Sequence, residues 1–174
     1  MFESLLASDV PWADVTVWQV DERVAADGHP ERNAGQLVDF PCRVELMPVT
    51  ADHLDVAARR YGERLPDRFD VVHLGLGDDG HTASWPPSDP VVDSVRRCEA
   101  IGAFHGFRRM TITPLVVNAA RSRMMLTYGA SKAPVVARWL LRDQRLPVDR
   151  VRRTGTWVFL DAAAAADLTV GSAR

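Results

Sequence analysis

The residues best suited to chemistry in this chain lie between Gly75 and His81, where the sequence is Gly-Leu-Gly-Asp-Asp-Gly-His. An imidazole can gain or lose a proton near neutral pH, and glycines allow the backbone to turn sharply around it. Ionisable side chains on a glycine-rich segment are poor material for a hydrophobic core. We therefore predict that His81 belongs to a functional site, with a buried structural histidine as the alternative.

A predicted strand positions this segment. Residues 71–76 are mostly apolar and end among the glycines, which is typical of a buried strand that stops at a turn. In parallel α/β sheets, ligands bind at the carboxyl ends of the strands. The glycine segment is therefore expected at the edge of the sheet where ligands bind.

The same glycines fit a dinucleotide-binding pattern, Gly75-x-Gly77-x-x-Gly80. Such a pattern must open a helix whose N-terminus receives a pyrophosphate. Two carboxylates occupy the turn and would repel that anion, and the prolines at 86–87 prevent a long helix. Glu99 lies near the spacing of a ribose-binding acid, but no helix and second strand deliver it. We therefore expect no nicotinamide or flavin cofactor.

The remaining pattern alternates strands with helices. Strands are predicted at residues 14–20, 71–76, 111–113, 124–128 and 156–160. Helices are predicted at residues 1–8 (part of an amphipathic helix), 52–65, 114–121 and 132–141, and in an alanine-rich segment after residue 161. Ser131 and Asp161 are the expected caps of the last two helices. Residues 91–107 have no clear assignment. This order predicts an α/β fold, with a mostly parallel sheet covered on both faces.

Composition limits the class of protein. The chain has 174 residues, enough for one domain, and its net charge of −2 gives no reason to expect a nucleic-acid partner. No segment is long and apolar enough to span a membrane, and no signal peptide is recognisable. Cys42 and Cys98 are expected to be reduced, buried thiols of a cytoplasmic protein. The histidines other than His81 share no ligand spacing, so no metal site is predicted; they are His29, His53, His73 and His105.

Three polar clusters follow predicted strands, at residues 21–23, 78–81 and 129–132. If the strands run parallel, the clusters meet at one rim of the sheet. Arg23, Lys132 and His81 would then surround a cleft suited to an anionic, phosphorylated substrate. Solvated surface charge is the alternative for Arg23 and Lys132.

At these positions the sequence resembles the 6-phosphogluconolactonase family, in the superfamily that includes glucosamine-6-phosphate isomerase/deaminase. Four segments match in order: residues 18–23 with 29–33 (the family's DER…SN), 74–84 (LGxGxDGHxAS), 109–120 (RITLTxxxLNxA) and 129–133 (GxxKA). Two positions favour lactonase over deaminase. Pro86 stands where the deaminases carry a ring-opening glutamate, and Arg23 stands where they carry a tyrosine.

The resemblance implies a three-layer αβα, NagB/RpiA-like fold in a single domain of residues 1–174. It implies hydrolysis of 6-phospho-D-glucono-1,5-lactone to 6-phosphogluconate in the oxidative pentose phosphate pathway, without a metal or organic cofactor. By the same resemblance His81 is the general base and Asp79 orients its loop. Arg23 and Lys132 bind the 6-phosphate, and the backbone N–H groups at Gly77 and Gly80 contact the substrate as oxyanion donors.

The chain also departs from the family pattern. Residues 84–87 are Ser-Trp-Pro-Pro instead of Ser-Leu-Phe-Pro, and residues 103–108 replace a segment with proline and lysine. Family members begin with a strand and a Gly-Gly-x-Thr-Pro phosphate turn, so an N-terminally truncated fold is expected, with an uncovered sheet edge open to self-association. The alternative function is a catalytically weak, lactonase-derived protein that binds a sugar phosphate or a partner.

Overall fold

The computed structural model describes residues 2–168 and shows an α/β fold. The helices are α1 (Phe2–Leu6), α2 (Leu54–Arg64), α3 (Pro114–Ala119) and α4 (Ala133–Leu140). The strands are β1 (Thr16–Trp18), β2 (Asp21–Arg23), β3 (Arg43–Glu45), β4 (Val71–Leu74), β5 (Cys98–Phe104), β6 (Phe107–Ile112), β7 (Ser122–Thr127) and β8 (Thr156–Leu160). Short 3-10 turns connect several of them.

Two of the sheets are parallel, as the alternation of strands and helices predicted. One has the order β4-β7-β8, with Leu74 opposite Met125 and Met125 opposite Val158. The other pairs β1 with β3. Burial alternates along β4 and β7, and the facing residues Leu74 and Met125 are almost fully buried on the same side of the sheet. The mostly parallel α/β prediction is confirmed.

The third sheet is antiparallel and has the order β2-β6-β5. Its middle strand pairs Glu22 with Met110 on one side and Ala100 with Met110 on the other. Residues 21–23, which we predicted to be a polar cluster after a strand, therefore form a strand themselves. The unassigned segment 91–107 contains β5 and the turn that leads into β6.

Helix α2 lies within the predicted segment 52–65 and buries Leu54, Ala58 and Tyr61. Helices α3 and α4 also occupy their predicted segments. Ser131 does not cap α4, because a 3-10 turn at Ala130–Lys132 precedes the helix and neither carries a side-chain cap.

The predicted last helix is a series of turns over residues 162–167, and the residues after 168 lie outside the described part. Asp161 still behaves as a cap, because its Oδ1 accepts a hydrogen bond from the Ala164 N–H at 2.7 Å. At the other end, Met1 of the predicted helix 1–8 also lies outside the described residues.

The core lies between the sheets and the helices. Trp85, Trp139 and Met125 are among its largest buried side chains. Both cysteines are free; Cys98 is buried, as expected, whereas Cys42 is partly exposed. Across residues 2–168, none of the helices has the length and apolar character needed to cross a membrane.

Candidate functional site

The glycine loop begins where β4 ends and closes on itself through the backbone. The Gly77 N–H donates to the His81 carbonyl at 2.8 Å, and the Gly80 N–H donates to the Gly77 carbonyl at 3.0 Å. Gly80 has φ +86°, a conformation that glycine adopts without strain. Both amides are thus engaged inside the loop, so either must leave its carbonyl partner before it can serve as an oxyanion donor.

Asp79 and His81 form the closest functional contact of the loop. The His81 Nδ1 and Asp79 Oδ1 atoms are 2.5 Å apart, and the backbone N–H of His81 donates a hydrogen bond to the same oxygen at 3.1 Å. Burial alone would raise the pKa of Asp79, but these hydrogen bonds outweigh it and lower the pKa. An ionised Asp79 places the imidazole proton on Nδ1, which leaves the lone pair of Nε2 available to accept a proton.

Gly77 is needed for this contact because the imidazole packs against its α-carbon. A β-carbon at position 77 would lie 2.0 Å from the His81 Nδ1, a distance that no real side chain tolerates. At Gly75, by contrast, no atom lies within 4 Å of such a carbon. The structure thus gives Gly77 a steric role.

The β5–β6 hairpin contributes the other rings around His81. Phe104 meets the imidazole edge-on, with ring centroids 5.0 Å apart, and the His105 ring lies 5.6 Å away. One donor atom each of Asp79, His81 and His105 lies within 4.8 Å of the other two, so these residues could hold a metal ion. His105 was not predicted as a site residue, because residues 81 and 105 come together only once the hairpin is formed.

Lys132 lies beside the glycine loop, as the convergence of strand ends predicted. Its Nζ is 2.6 Å from Asp78 Oδ1, and about a quarter of its side chain is exposed. The 3-10 turn Ala130–Lys132 that follows β7 carries it there. The polar clusters at residues 78–81 and 129–132 are therefore in contact.

Arg23 is connected to the loop less directly. Its Nη1 lies 3.2 Å from Glu31 Oε2, and in the sheet Arg23 is opposite Arg109. The Arg109 guanidinium lies over the Phe104 ring at 5.6 Å, and Phe104 contacts His81. Arg23 is thus on the strand that borders the site, paired with a carboxylate.

Behind Arg23, the side chain of Glu22 is fully buried and organises the loop at residues 31–34. Its carboxylate accepts hydrogen bonds from Gln19 Nε2 (2.8 Å) and Arg32 Nε (3.3 Å), and from three backbone N–H groups, those of Arg23 (2.7 Å), Asn33 (2.7 Å) and Ala34 (2.8 Å). Burial opposes ionisation of Glu22, but these hydrogen bonds outweigh it and lower its pKa. Glu22 was not predicted as a site residue.

Asp21 links the antiparallel sheet to the glycine segment. Its Oδ2 accepts a hydrogen bond from the Ser84 hydroxyl at 2.6 Å and lies 3.9 Å from the Arg109 guanidinium. Burial raises the pKa of Asp21, against the opposing effect of Ser84 and Arg109. The two halves of the site are thus held together by a partly buried polar contact.

Comparison with known proteins agrees with this geometry. A profile of the family described as glucosamine-6-phosphate isomerases/6-phosphogluconolactonase matches residues 1–159. The chain is 31% identical to a 6-phosphogluconolactonase of Nostoc sp., over 98% of this chain and 80% of that protein. It is 33% identical to a 6-phosphogluconolactonase of Rattus norvegicus, over 96% of this chain and 77% of that protein.

The fold is also shared. The crystal structure of a 6-phosphogluconolactonase from Thermotoga maritima superimposes with a TM-score of 0.81 at 20% identity, covering 91% of this chain and 78% of that one. On the profile match and these relatives, the chain belongs to the glucosamine-6-phosphate isomerase/6-phosphogluconolactonase family.

Proposed function

We propose that this protein hydrolyses 6-phospho-D-glucono-1,5-lactone to 6-phosphogluconate, acting in the cytoplasm on a free phosphorylated sugar lactone. The names of its relatives support this reaction. The observation that carries the proposal is the 2.5 Å contact between Asp79 and His81, because it prepares an imidazole to accept a proton at a partly exposed position.

In the proposed reaction, Nε2 of His81 takes a proton from water as the water oxygen attacks the lactone carbonyl carbon. The bond between that carbon and the ring oxygen then breaks, and the imidazolium returns the proton to the departing ring oxygen. Asp79 stabilises the imidazolium formed between these steps. The products are the open-chain acid and a hydroxyl group, so one water is consumed.

The 6-phosphate is assigned to Lys132 and Arg23. Each cation is paired with a carboxylate, Asp78 or Glu31, that must share or release it when a phosphate arrives. A phosphate dianion competes well for such groups because arginine offers it a planar pair of donors and lysine a point charge. In this proposal Gly77 and Gly80 lie next to the substrate, and their main role is steric, because a larger residue at either position would leave too little space for His81 and the loop.

Replacing His81 tests the assignment. We expect His81→Ala to lower kcat by about 10²- to 10⁴-fold, the usual contribution of a positioned acid–base group, with the fold intact by circular dichroism. Asp79→Asn should lower kcat less and leave KM nearly unchanged. His53→Ala, an exposed histidine before α2, is the matched control.

Two results would contradict the proposal. Near-normal turnover in folded His81→Ala would remove the base assignment. Wild-type turnover no faster than spontaneous hydrolysis, with 6-phosphogluconate still bound in calorimetry, would instead support the alternative, a sugar-phosphate-binding protein derived from a lactonase.

A further inference from the structure

His105 has a fixed position at the tip of the β5–β6 hairpin. Phe104 and Phe107 are paired across the hairpin, so His105 and Gly106 form its two-residue turn. Both have positive φ, +48° and +81°, as a type I′ turn requires. A non-glycine residue is uncommon in this conformation. The turn therefore holds the His105 imidazole over the glycine loop, 5.6 Å from the ring of His81.

Asp79, His81 and His105 offer the donor types of a transition-metal site. Two imidazoles and one carboxylate, with a fourth position left to water, are a set that zinc uses in enzymes. The three donor atoms lie within 4.8 Å of one another, and about a quarter to a third of the Asp79 and His81 side chains is exposed to solvent. Zinc with tetrahedral bonds of about 2.0–2.1 Å needs ligand atoms about 3.3 Å apart. Asp79 Oδ1 and His81 Nδ1, now 2.5 Å apart, must therefore separate slightly while His105 comes closer, and side-chain rotations at Asp79 and His105 can provide both movements.

We propose that Asp79, His81 and His105 bind a divalent transition-metal ion such as Zn²⁺, and that the bound ion inhibits the hydrolysis proposed above. Asp79 faces Nδ1 of His81, so an ion shared by these two residues bonds to Nδ1 and the ring proton moves to Nε2. Inhibition follows because Nε2 then has no lone pair with which to take a proton from water. The binding half of this proposal stands on the geometry alone, whereas the inhibition half rests on the proposed function.

The experiment uses the whole chain, stripped of metal by a chelator, and His105→Asn as the variant. Asparagine tolerates a positive φ in this turn and lacks the imidazole, so the hairpin is kept while a ligand is lost. Zn²⁺ binding is measured by calorimetry, and Co²⁺ binding by the visible absorption of the coordinated ion. We expect one ion per chain, and an affinity about 10- to 100-fold weaker in His105→Asn. Effects of this size already follow when a residue that only hydrogen-bonds to a metal ligand is replaced. His53→Ala should bind like the wild type.

Turnover provides the second readout. Zn²⁺ should inhibit the wild type at concentrations that match its dissociation constant, and His105→Asn should keep its metal-free turnover while resisting inhibition. Equal Zn²⁺ affinity in wild type and His105→Asn, or no binding in either, would overturn the site. Binding that leaves turnover unchanged or raises it would overturn the inhibition. If the chain has no lactonase activity, the proposed function fails, and the binding measurements still decide whether the site exists.

Discussion

At the scale of single residues, the two cations assigned to the phosphate are each paired with a carboxylate before any substrate arrives. Lys132 contacts Asp78, and Arg23 contacts Glu31. Such pairs keep the charges in place near the site without neutralising them permanently, because both are partly exposed and therefore weak. The charge of the substrate should consequently decide how much each cation contributes to substrate binding.

Removing either cation should affect phosphorylated and unphosphorylated lactones differently. We expect Lys132→Ala or Arg23→Ala to raise KM for the 6-phospho-lactone about tenfold or more, since a hydrogen bond to a charged group contributes about 1.5–3 kcal/mol. KM for gluconolactone should change little. Steady-state kinetics on both substrates makes the comparison, and Arg121→Ala, which breaks a surface pair with Asp70, is the charge-matched control. Equal losses on both lactones would show that these residues serve the fold or the chemistry in general.

Site residues that are close together along the chain could be predicted from the sequence, whereas those brought in by pairing could not. Asp79 and His81 are two positions apart, so their types and spacing were enough. Glu22 was predicted to be part of a polar cluster, whereas it is buried and its carboxylate accepts five hydrogen bonds that organise the loop. Such partners depend on the folded loop at residues 31–34, which no local pattern describes.

At the scale of elements, the glycine loop depends on a small residue at one position and tolerates a larger one nearby. We expect Gly77→Ala to reduce kcat severely, because the added carbon would collide with the His81 ring. Gly75→Ala, where that carbon meets open space, should be nearly neutral. Kinetics and thermal unfolding of both variants test this. Similar activity in the two would show that the ring can move without loss of function.

Strand β2 depends on the ionised form of Glu22 for its loop contacts. Glu22→Gln should lower the free energy of unfolding by roughly 3–5 kcal/mol at neutral pH, the usual cost of removing one partner from a buried charged network. Because the folded-state pKa of Glu22 lies below its ordinary value of 4.5, this stabilisation is present at neutral pH and is lost as the pH falls through the folded-state pKa. The difference in the free energy of unfolding between wild type and Glu22→Gln should therefore become smaller in acid.

Urea unfolding at neutral pH and below pH 4.5 measures that difference. Asp21 titrates in both proteins, and the Glu22 charge contributes to its raised pKa, so the difference between them reports Glu22 together with its effect on Asp21. Glu63→Gln, on the exposed side of α2, should behave like the wild type at each pH. A difference that stays constant with pH would show that Glu22 acts through packing and not through its charge.

The elements that were predicted well are those whose own side chains decide them. Helix α2 and strands β4, β7 and β8 have apolar residues at the spacing of their structure. Strand β5 was missed because it contains Gly102 and two alanines, which have little preference for strands, and it is stabilised by pairing with β6. Strand β2 was missed for the same reason, since three polar residues become a strand only beside their partner.

At the scale of the whole molecule, one margin of the β4-β7-β8 sheet presents apolar surface. Strand β8 pairs only with β7 within residues 2–168, and its Trp157 and Phe159 side chains are 65% and 48% exposed. An edge strand with exposed aromatic residues favours association. We expect concentration-dependent self-association in light scattering, reduced in the double variant Trp157→Ser/Phe159→Ser.

Val95→Ser is the control for that experiment, because Val95 is highly exposed and lies outside the strands. It should associate like the wild type. A wild-type chain that remains monomeric over the whole concentration range would contradict the prediction, and the exposed aromatic residues would then be surface features without a partner copy.

The burial of Cys98 makes this thiol a reporter of how often β5, the strand that leads to His105, is uncovered. Burial raises the pKa of Cys98 to about 12, and the residue sits in β5 opposite Ile112 of β6. In the folded protein an alkylating reagent should therefore modify the partly exposed Cys42 first. Helix α2 packs on β5 beside Cys98, at Gly62. In a Cys42→Ser background, the rate at which Cys98 becomes alkylated would therefore give the frequency with which β5 is uncovered. Comparing that rate with and without 6-phosphogluconate would show whether a molecule bound near His81 stabilises the packing around β5.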